Sequence, residues 1–294
     1  MLPRESDLAC NRTAVPAIAL LDHGSREPAA KRHVRALASA LSENVGVEVT
    51  PVSWSKFASL PTAAPGNAPV WILEPWVRAH LAAGRRKFLF APFLISNQGA
   101  ISSTLRAELD QLAIDAGGFE FSFTPGLTDV LGLIVSDYVR QVITERKLER
   151  ASVIVVDHGG PSSASAALRH MVTSEVREQL HPLVGPVAAA SIESSEGPEL
   201  TGHHPLLAEL LTTAGFNRGP VIIAPLFLSP GRHAGAEGDL RQIVRAAAVQ
   251  FPGLDCRVTD LVGTHPLVVD TLSRQLRVAL TPRGQGETDL SVGE

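Results

Sequence analysis

Residues 20–30, LLDHGSREPAA, and residues 155–165, VVDHGGPSSAS, carry the same pattern. In each stretch an apolar run ends in Asp-His-Gly, and a segment containing small residues follows. A second matching pair, APFLIS from Ala91 and APLFLS from Ala224, is offset by 133 residues, against 135 for the His-Gly pair. Such a nearly constant offset indicates an internal duplication. Two unrelated βαβ units that share common turn chemistry are the alternative.

The distribution of apolar residues predicts an α/β fold. Segments with helical spacing separate short apolar runs; in one of them Val34, Leu37 and Leu41 fall on one face. Continuous apolar strands that alternate with helices are typical of buried parallel sheets. We therefore predict two similar lobes, each a four-stranded parallel sheet flanked by helices. The predicted strands are Ala17–Leu21, Val47–Val52, Phe88–Phe93, Phe119–Thr124, Val153–Val156, Val187–Ile192, Val221–Phe227 and Cys256–Leu261.

The predicted domain organisation follows from these patterns. We expect a flexible N-terminus over residues 1–14, a first lobe over 15–148, a second lobe over 149–280 and a disordered tail over 281–294. The boundary between the lobes falls at the charged stretch ERKLER, residues 145–150. The apolar run at residues 17–21 is too short for a signal peptide or a membrane span.

Composition narrows the class of partner. The net charge of −4 and pI of about 6.2 provide no strong positive field, so neither nucleic acid nor an anionic membrane is expected. The chain has 2 cysteines, Cys10 and Cys256, and their spacing favours reduced thiols in the cytoplasm. A Cys/His cluster typical of structural zinc is absent from the sequence.

Candidate site residues follow the predicted strands of the second half. Ligands bind beyond the carboxyl ends of the strands in an open parallel sheet, and His158, Glu193 and His233 lie at three such ends. Taken alone, each is also compatible with a capping or solvated residue. The first half, however, places His23 where the second half has His158. Two imidazoles and a carboxylate suit cobalt(II), iron(II) or nickel(II).

Other polar residues near these strand ends have structural explanations. Asp239 fits the start of a helix as its N-cap, and His265, His203 and His204 each lie close before a proline at a predicted helix start. The sequence contains no G-x-S-x-G motif of α/β-hydrolases and no P-loop, and no G-x-G-x-x-G follows a predicted strand.

These motifs resemble those of the sirohydrochlorin chelatases, the ATP-independent class II chelatases of the cobalamin and siroheme pathways. The matching elements are DHG after a first strand, PLFLSPGRH after a third and GTHP after a fourth, and the resemblance extends from about Ala17 to Leu280. It implies a tetrapyrrole-binding cleft between two lobes and a divalent metal as substrate, cobalt or iron with nickel as a third candidate. It implies no permanently bound cofactor.

The resemblance assigns the family's pair of histidines to His158 and His233, and the roles of their neighbours are a hypothesis from chemistry. His158 and His233 would hold the metal and act as catalytic residues, with Glu193 assisting. Arg232, Gly159, Gly231 and His23 would contact the tetrapyrrole, because its peripheral carboxylates need cations and backbone N–H donors. A monomer is sufficient to form the cleft, and a homodimer is compatible with it.

The sequence departs from the family pattern in the first half. Ala100 stands where a second histidine is expected, Ser55 near the place of Glu193, and Asp129 near that of His265. The family's active pair often lies in the first half, whereas here only the second half is complete. Asp239 also follows His233 by six residues, which makes this loop longer than the common form.

Two other functional classes compete with a chelatase. A degenerate relative that carries a tetrapyrrole or a metal without catalysis is compatible with the incomplete first lobe. A histidine phosphatase or mutase also has a His-Gly after a strand, but it needs an arginine directly before that histidine. Asp22 and Asp157 occupy those positions, and their charge would repel a phosphate.

Overall fold

The computed structural model describes residues 15–55, 70–95, 100–159, 163–193 and 205–281. Several sequence predictions fall on residues outside these ranges. They are the flexible N-terminus at 1–14, the disordered tail except Thr281, the helix start at His203 and His204, and the thiol of Cys10.

The first half forms a parallel sheet of five strands in the order β3-β2-β1-β4-β5. The prediction of four strands is wrong for this half, because the edge strand β3 has only two residues and leaves no periodic pattern in the sequence. The strands are β1 (Ala17–Asp22), β2 (Val49–Ser53), β3 (Trp71–Ile72), β4 (Lys87–Pro92) and β5 (Glu120–Phe123). The helices are α1 (Pro28–Val45), α2 (Leu73–Ala82), α3 (Ala100–Asp115) and α4 (Leu131–Arg146), the last preceded by a 3-10 turn at Thr128–Val130.

The second half forms a parallel sheet of four strands in the order β7-β6-β8-β9, which repeats the order β2-β1-β4-β5 of the first half. Its strands are β6 (Ser152–Asp157), β7 (Val187–Ser191), β8 (Gly219–Pro225) and β9 (Leu254–Val258). Its helices are α5 (Ser163–Leu180), α6 (Leu207–Leu210), α7 (Asp239–Gln250) and α8 (Pro266–Leu280), with a 3-10 turn at Val262–Thr264 before α8. The predicted α/β fold with two parallel sheets flanked by helices is confirmed.

The cores of the two halves are continuous. Alternate side chains of β1 point to opposite faces of the first sheet: Ile18 and Leu20 join a large central cluster, whereas Ala19 and Leu21 join an outer one. The central cluster combines the inner faces of both sheets with the apolar sides of α1, α4, α5 and α8. The outer clusters pack α2 and α3 on the first sheet and α6 and α7 on the second.

Two helices of the central layer cross between the halves. Helix α4, which belongs to the first half by sequence, contacts α5 and β8 of the second. Helix α8, the last helix, packs along α1 of the first half. The Gln275 side chain of α8 exchanges two hydrogen bonds with the Gly126 backbone, and Ser273 accepts one from Asn44 at 3.2 Å. Each half is therefore completed by a helix from the other.

Sequence signals explain how the central helices begin and end. Helix α1 begins at Pro28, whose fixed φ suits a first helical turn, and it ends at Gly46, which has φ of 73° and donates to the Ser42 carbonyl. Helix α8 begins in the same way at Pro266.

Two further features bear on the sequence predictions. Within the described ranges, no helix is both long and apolar enough to cross a membrane. Cys256 in β9 is a free thiol, and burial raises its pKa to about 11.

Candidate metal centre

Three polar side chains of the second half converge at the carboxyl edge of its sheet. One ligand atom from each of His158, Glu193 and His233 lies within 4.8 Å of the other two. The Nε2 atom of His158 is 3.4 Å from the Glu193 carboxylate, and the two imidazole rings meet edge to face with centroids 4.5 Å apart. The structure therefore brings together the three residues predicted from three separate strand ends.

The sharp turn after β6 aims His158 into this cluster. Gly159 has φ of 88°, a conformation that side chains disfavour. A Cβ atom on Gly159 would lie 2.2 Å from the carbonyl oxygen of Glu193, because the chain beyond β7 continues alongside the turn. The Glu193 amide donates to the His158 carbonyl at 3.0 Å. Only glycine at position 159 allows the two segments to approach this closely.

A buried ion pair stabilises the turn after β6. Asp157, the last residue of β6, accepts hydrogen bonds from the Gly159 amide at 2.9 Å and from the Arg169 guanidinium of α5. Arg169 is only 3 % exposed, so this charge is paired away from water. The sequence did not reveal this role of Arg169, since an arginine within a helical pattern gives no sign that it points inwards.

The hydrogen bonds of His158 define its tautomer. Its Nδ1 atom lies 3.0 Å from the Gly159 carbonyl oxygen, and a carbonyl only accepts. The ring proton is therefore on Nδ1, and the lone pair of Nε2 faces the carboxylate of Glu193. A lone pair and an anion that face each other are stabilised by a cation between them, which makes this pair suited to a metal ion.

A carboxylate contacts the imidazole ring of His233. Its Nδ1 atom is 2.8 Å from Asp239 Oδ2, close enough for an ion pair although poorly aligned for a hydrogen bond. The ring of Phe227 lies nearly parallel to that of His233, with centroids 6.4 Å apart. A carboxylate on one imidazole nitrogen orients the ring and leaves the other nitrogen for a metal.

The interpretation of Asp239 as an N-cap is wrong. Helix α7 begins at Asp239, and its N-cap is Gly238. A Cβ at Gly238 would lie 2.6 Å from the His233 carbonyl, so the loop folds back tightly on itself. This fold-back brings the Asp239 carboxylate to His233. The six-residue spacing was visible in the sequence, but it did not reveal that the loop closes.

Arg232 lies at the rim of the cluster. Its guanidinium is 3.7 Å from Glu193 and 3.6 Å from Asp239, and its side chain is 75 % exposed. The space around Gly231 is open, since a Cβ placed there meets no atom within 4 Å. The predicted substrate-binding residues Arg232, Gly231 and Gly159 thus surround the predicted metal ligands.

The first half repeats this backbone geometry without the ligands. The Ser55 amide donates to the His23 carbonyl at 3.0 Å, as Glu193 does to His158, so Ser55 occupies the place of the glutamate. The exposed ring of His23 meets Trp54 edge to face at 5.7 Å. Asp22 accepts from Ser53 instead of an arginine, and burial raises its pKa. Among the described residues, the first half contains no group of three metal-ligating side chains.

His265 has a structural role, one of the two alternatives that its sequence position allows. Its Nδ1 accepts from the Leu267 amide at the start of α8, and its Nε2 lies 3.1 Å from Asp137 of α4. Its ring is also in edge-to-face contact with Tyr138. His265 thus joins α8 to α4 and is not a member of the His158–Glu193–His233 group.

Known proteins resemble both the sequence and the fold. Residues 152–279 match the CbiX family. The sirohydrochlorin ferrochelatase of Arabidopsis thaliana chloroplasts is 28 % identical over 138 residues, which cover 47 % of this chain and 56 % of that protein. The chain thus spans little more than half the length of this relative.

Solved structures extend the likeness to nearly the whole chain. SirB from Bacillus subtilis with Fe3+ superposes with a TM-score of 0.64 at 16 % identity, covering 91 % of this chain and 96 % of SirB. SirB from Bacillus subtilis subspecies spizizenii in complex with cobalt gives a TM-score of 0.60 at 15 % identity, covering 92 % and 98 %. CbiX, described as the terminal enzyme of siroheme biosynthesis in denitrifying bacteria, gives 0.57 at 19 % identity, covering 90 % and 99 %.

Two parallel sheets joined by shared helices, with a His–Glu–His cluster at one sheet edge, define an α/β protein of the chelatase fold. The sequence matches add a likeness to one family within that fold. The second half of the chain matches the CbiX family, and the chain is similar to the sirohydrochlorin chelatases.

Proposed function

We propose that this protein inserts a divalent metal, cobalt or iron, into sirohydrochlorin or a related tetrapyrrole. The observation that carries the proposal is the convergence of His158, Glu193 and His233 at one sheet edge. Nickel is a third candidate metal, because it also accepts imidazole and carboxylate ligands. The metal is a substrate of this reaction, and no permanently bound cofactor is required.

Metal insertion is an exchange of two protons for one ion. Before the reaction, the lone pairs of His158 and His233 and the carboxylate of Glu193 hold the metal on one face of the macrocycle. As the metal passes to the ring nitrogens, the imidazole lone pairs become free. They then accept the two pyrrole N–H protons, for which the near-neutral pKa typical of histidine is suitable. ATP has no part in this scheme.

Residues around the cluster would bind the macrocycle. Arg232 projects into solvent beside Glu193 and is suited to pair with a peripheral carboxylate of the tetrapyrrole. Gly159 and Gly231 leave backbone accessible on the same rim, and His23 would line the opposing side of a cleft between the halves. We place the enzyme in the cytoplasm as a monomer, without nucleic-acid or membrane partners.

The two histidines provide the direct test. We expect His158→Ala and His233→Ala each to lower the insertion rate at least about hundredfold, the usual contribution of a positioned acid–base group. His23→Ala should have a smaller effect, since it holds no metal. The measurement is spectrophotometric: sirohydrochlorin with cobalt(II), iron(II) or nickel(II) in turn, followed by the shift to the metallated spectrum.

A matched control separates loss of the site from loss of the fold. His170→Ala changes an exposed histidine of α5 and should preserve both the rate and the circular dichroism spectrum. Wild-type rates in either site variant would reject the assignment of the metal ligands. Tetrapyrrole binding by the wild-type protein without any metallation would instead identify a carrier.

A further inference from the structure

A histidine of the first half contacts the loops that carry the second-half site. His33 lies in the second turn of α1, and both nitrogens of its ring are hydrogen-bonded across the two halves. Its Nδ1 is 2.9 Å from the Ser229 hydroxyl, and its Nε2 is 3.1 Å from the Gly263 carbonyl oxygen. Ser229 follows β8, and Gly263 follows β9. One side chain thus joins three elements at the carboxyl edge of both sheets.

One neutral tautomer satisfies both contacts of His33. The carbonyl of Gly263 only accepts, so Nε2 carries the proton and donates it. Nδ1 therefore has a lone pair, and the Ser229 hydroxyl donates to it. Burial lowers the pKa of His33, which favours this neutral form. The ring edge also meets Phe93, the residue after β4, with centroids 5.6 Å apart.

The packing around His33 leaves the loop after β8 little room to move. A Cβ at Gly263 would lie 1.9 Å from the Leu228 carbonyl oxygen and 2.9 Å from the His33 ring. The backbones after β8 and β9 therefore touch each other directly beneath the imidazole. Ser229 begins the run Ser-Pro-Gly-Arg-His, which ends at the predicted metal ligand His233.

The other end of the same loop is fixed by α7. The Gly235 amide donates to the Gly231 carbonyl at 2.7 Å, and the Leu240 amide donates to the His233 carbonyl at 3.1 Å. The backbone of His233 is therefore tied into the first turn of α7. The distance between His233 and His158 then depends on how the start of the loop is held. The loop starts at Ser229, which is the residue that His33 contacts.

We propose that His33 is a positioning residue, which fixes the start of the 229–239 loop and thereby sets the place of His233 in the metal centre. This inference rests on the proposed function of the His158–Glu193–His233 cluster. It gives the first half, whose described residues contain no such group of ligands, a direct part in the geometry of the second-half site.

The test compares three single variants of the full chain. His33→Ala removes both hydrogen bonds, and Ser229→Ala removes only the one to the loop. Asn44→Ala is the matched control, because Asn44 also lies on α1 and also donates a hydrogen bond to the second half. Its partner is Ser273 of α8, which is not part of the 229–239 loop. Ser229→Ala keeps the proposal testable if His33→Ala fails to fold.

The first measurement is hydrogen–deuterium exchange of peptides that cover residues 229–240. We expect His33→Ala and Ser229→Ala to speed exchange in this segment about tenfold, which corresponds to about 1.4 kcal/mol of lost anchoring. Asn44→Ala should leave the segment unchanged. The double variant should exchange no faster than His33→Ala, since both changes remove the same contact. Unchanged exchange in both loop variants would overturn the proposal.

The second measurement is the affinity for cobalt(II) alone, without tetrapyrrole. A loosened His233 should weaken cobalt(II) binding about tenfold in both His33→Ala and Ser229→Ala. His33→Gln should recover only part of the cobalt affinity, because its amide can still donate to Gly263 but does not reach Ser229 in the same geometry. In the insertion assay, kcat should fall more than KM for sirohydrochlorin rises. Faster exchange with unaltered cobalt affinity would also refute the positioning role.

Failure of this proposal is distinguishable from failure of the proposed function. If the wild-type protein inserts no metal, the chelatase assignment falls, while loop exchange and cobalt affinity still decide the role of His33. If insertion is normal and Asn44→Ala reproduces the effects of His33→Ala, general docking of the halves is responsible, and His33 has no specific role.

Discussion

At the scale of the residue, the candidate metal centre depends on Gly159 as well as on its proposed ligands. Gly159 has a positive φ, and a side chain there would collide with the Glu193 backbone. The glycine therefore keeps the His158 turn and the Glu193 segment within contact. His158 and Glu193 are neighbours because no Cβ atom at position 159 separates the strand ends that carry them.

We expect Gly159→Ala to lower the free energy of unfolding by about 2 kcal/mol or more, because it combines a disfavoured φ with a backbone collision. It should also weaken cobalt(II) binding, since Glu193 has to move away from His158. Urea denaturation and metal titration measure the two effects.

Gly253→Ala is the matched control for this substitution. A Cβ placed on Gly253 meets no atom within 4 Å, and its φ is not positive, so the change should stay within about 0.5 kcal/mol. If both alanine variants are equally stable, the collision at Gly159 is not a real constraint.

The convergence of the proposed ligands was predictable from the sequence, whereas the residues that support them were not. His158, Glu193 and His233 follow apolar runs, and the topology of a parallel sheet brings such positions to one edge. Asp239 and Arg169 contact the ligands or their turn only because a loop folds back and a helix turns one arginine inwards. Neither event leaves a pattern in the spacing of residues.

At the scale of the element, the contact between α5 and the end of β6 depends on one buried ion pair. Arg169 and Asp157 are a buried pair, with side chains 4 % and 14 % exposed. Removing one member of such a pair leaves the other charged and without its partner in a poorly solvated place.

We expect Arg169→Met to lower the free energy of unfolding by about 3 kcal/mol or more. Arg78→Met is the matched control, because Arg78 pairs with Glu74 at 2.9 Å on the surface of α2. Exposed pairs of this kind contribute about 0.5 kcal/mol. Chemical denaturation of both variants gives the comparison, and equal losses would contradict the structural role assigned to Arg169.

The strands were predictable because their apolar runs are continuous and separate. The predicted runs overlap the observed β1, β2, β4 and β5 and all four strands of the second sheet. The exception is β3, whose two residues, Trp71 and Ile72, lead directly into α2. A strand of that length exists only through its pairing with β2, which is a tertiary contact.

At the scale of the whole molecule, the two halves pack against each other across the sequence boundary at residues 148–149, because helices on each side of it contact the other half. Amphipathic patterns identified helices, but they do not specify which sheet a helix covers. Val268, Leu272 and Leu276 of α8 are fully buried, in the cluster that also contains α1. At about 2 kcal/mol each, their burial is comparable to the net stability of a typical domain, about 5–15 kcal/mol.

We therefore expect fragments 1–148 and 149–294 to lack a cooperative unfolding transition when each is produced alone. The control is the full chain cleaved at a protease site inserted near residue 148, which should stay associated and unfold as one unit. Thermal scans by circular dichroism provide the measurement. A sharp transition of either isolated fragment would show that the exchanged helices are dispensable.

The exchange of α4 and α8 also limits how this protein can admit a large flat ligand. Rotation of one half away from the other would pull a helix off apolar surface and expose it to water. We therefore expect the spacing between the two sheets to stay constant when the proposed tetrapyrrole substrate binds. Its entry and release then depend on side chains and loops at the carboxyl edges of the sheets rather than on a hinge.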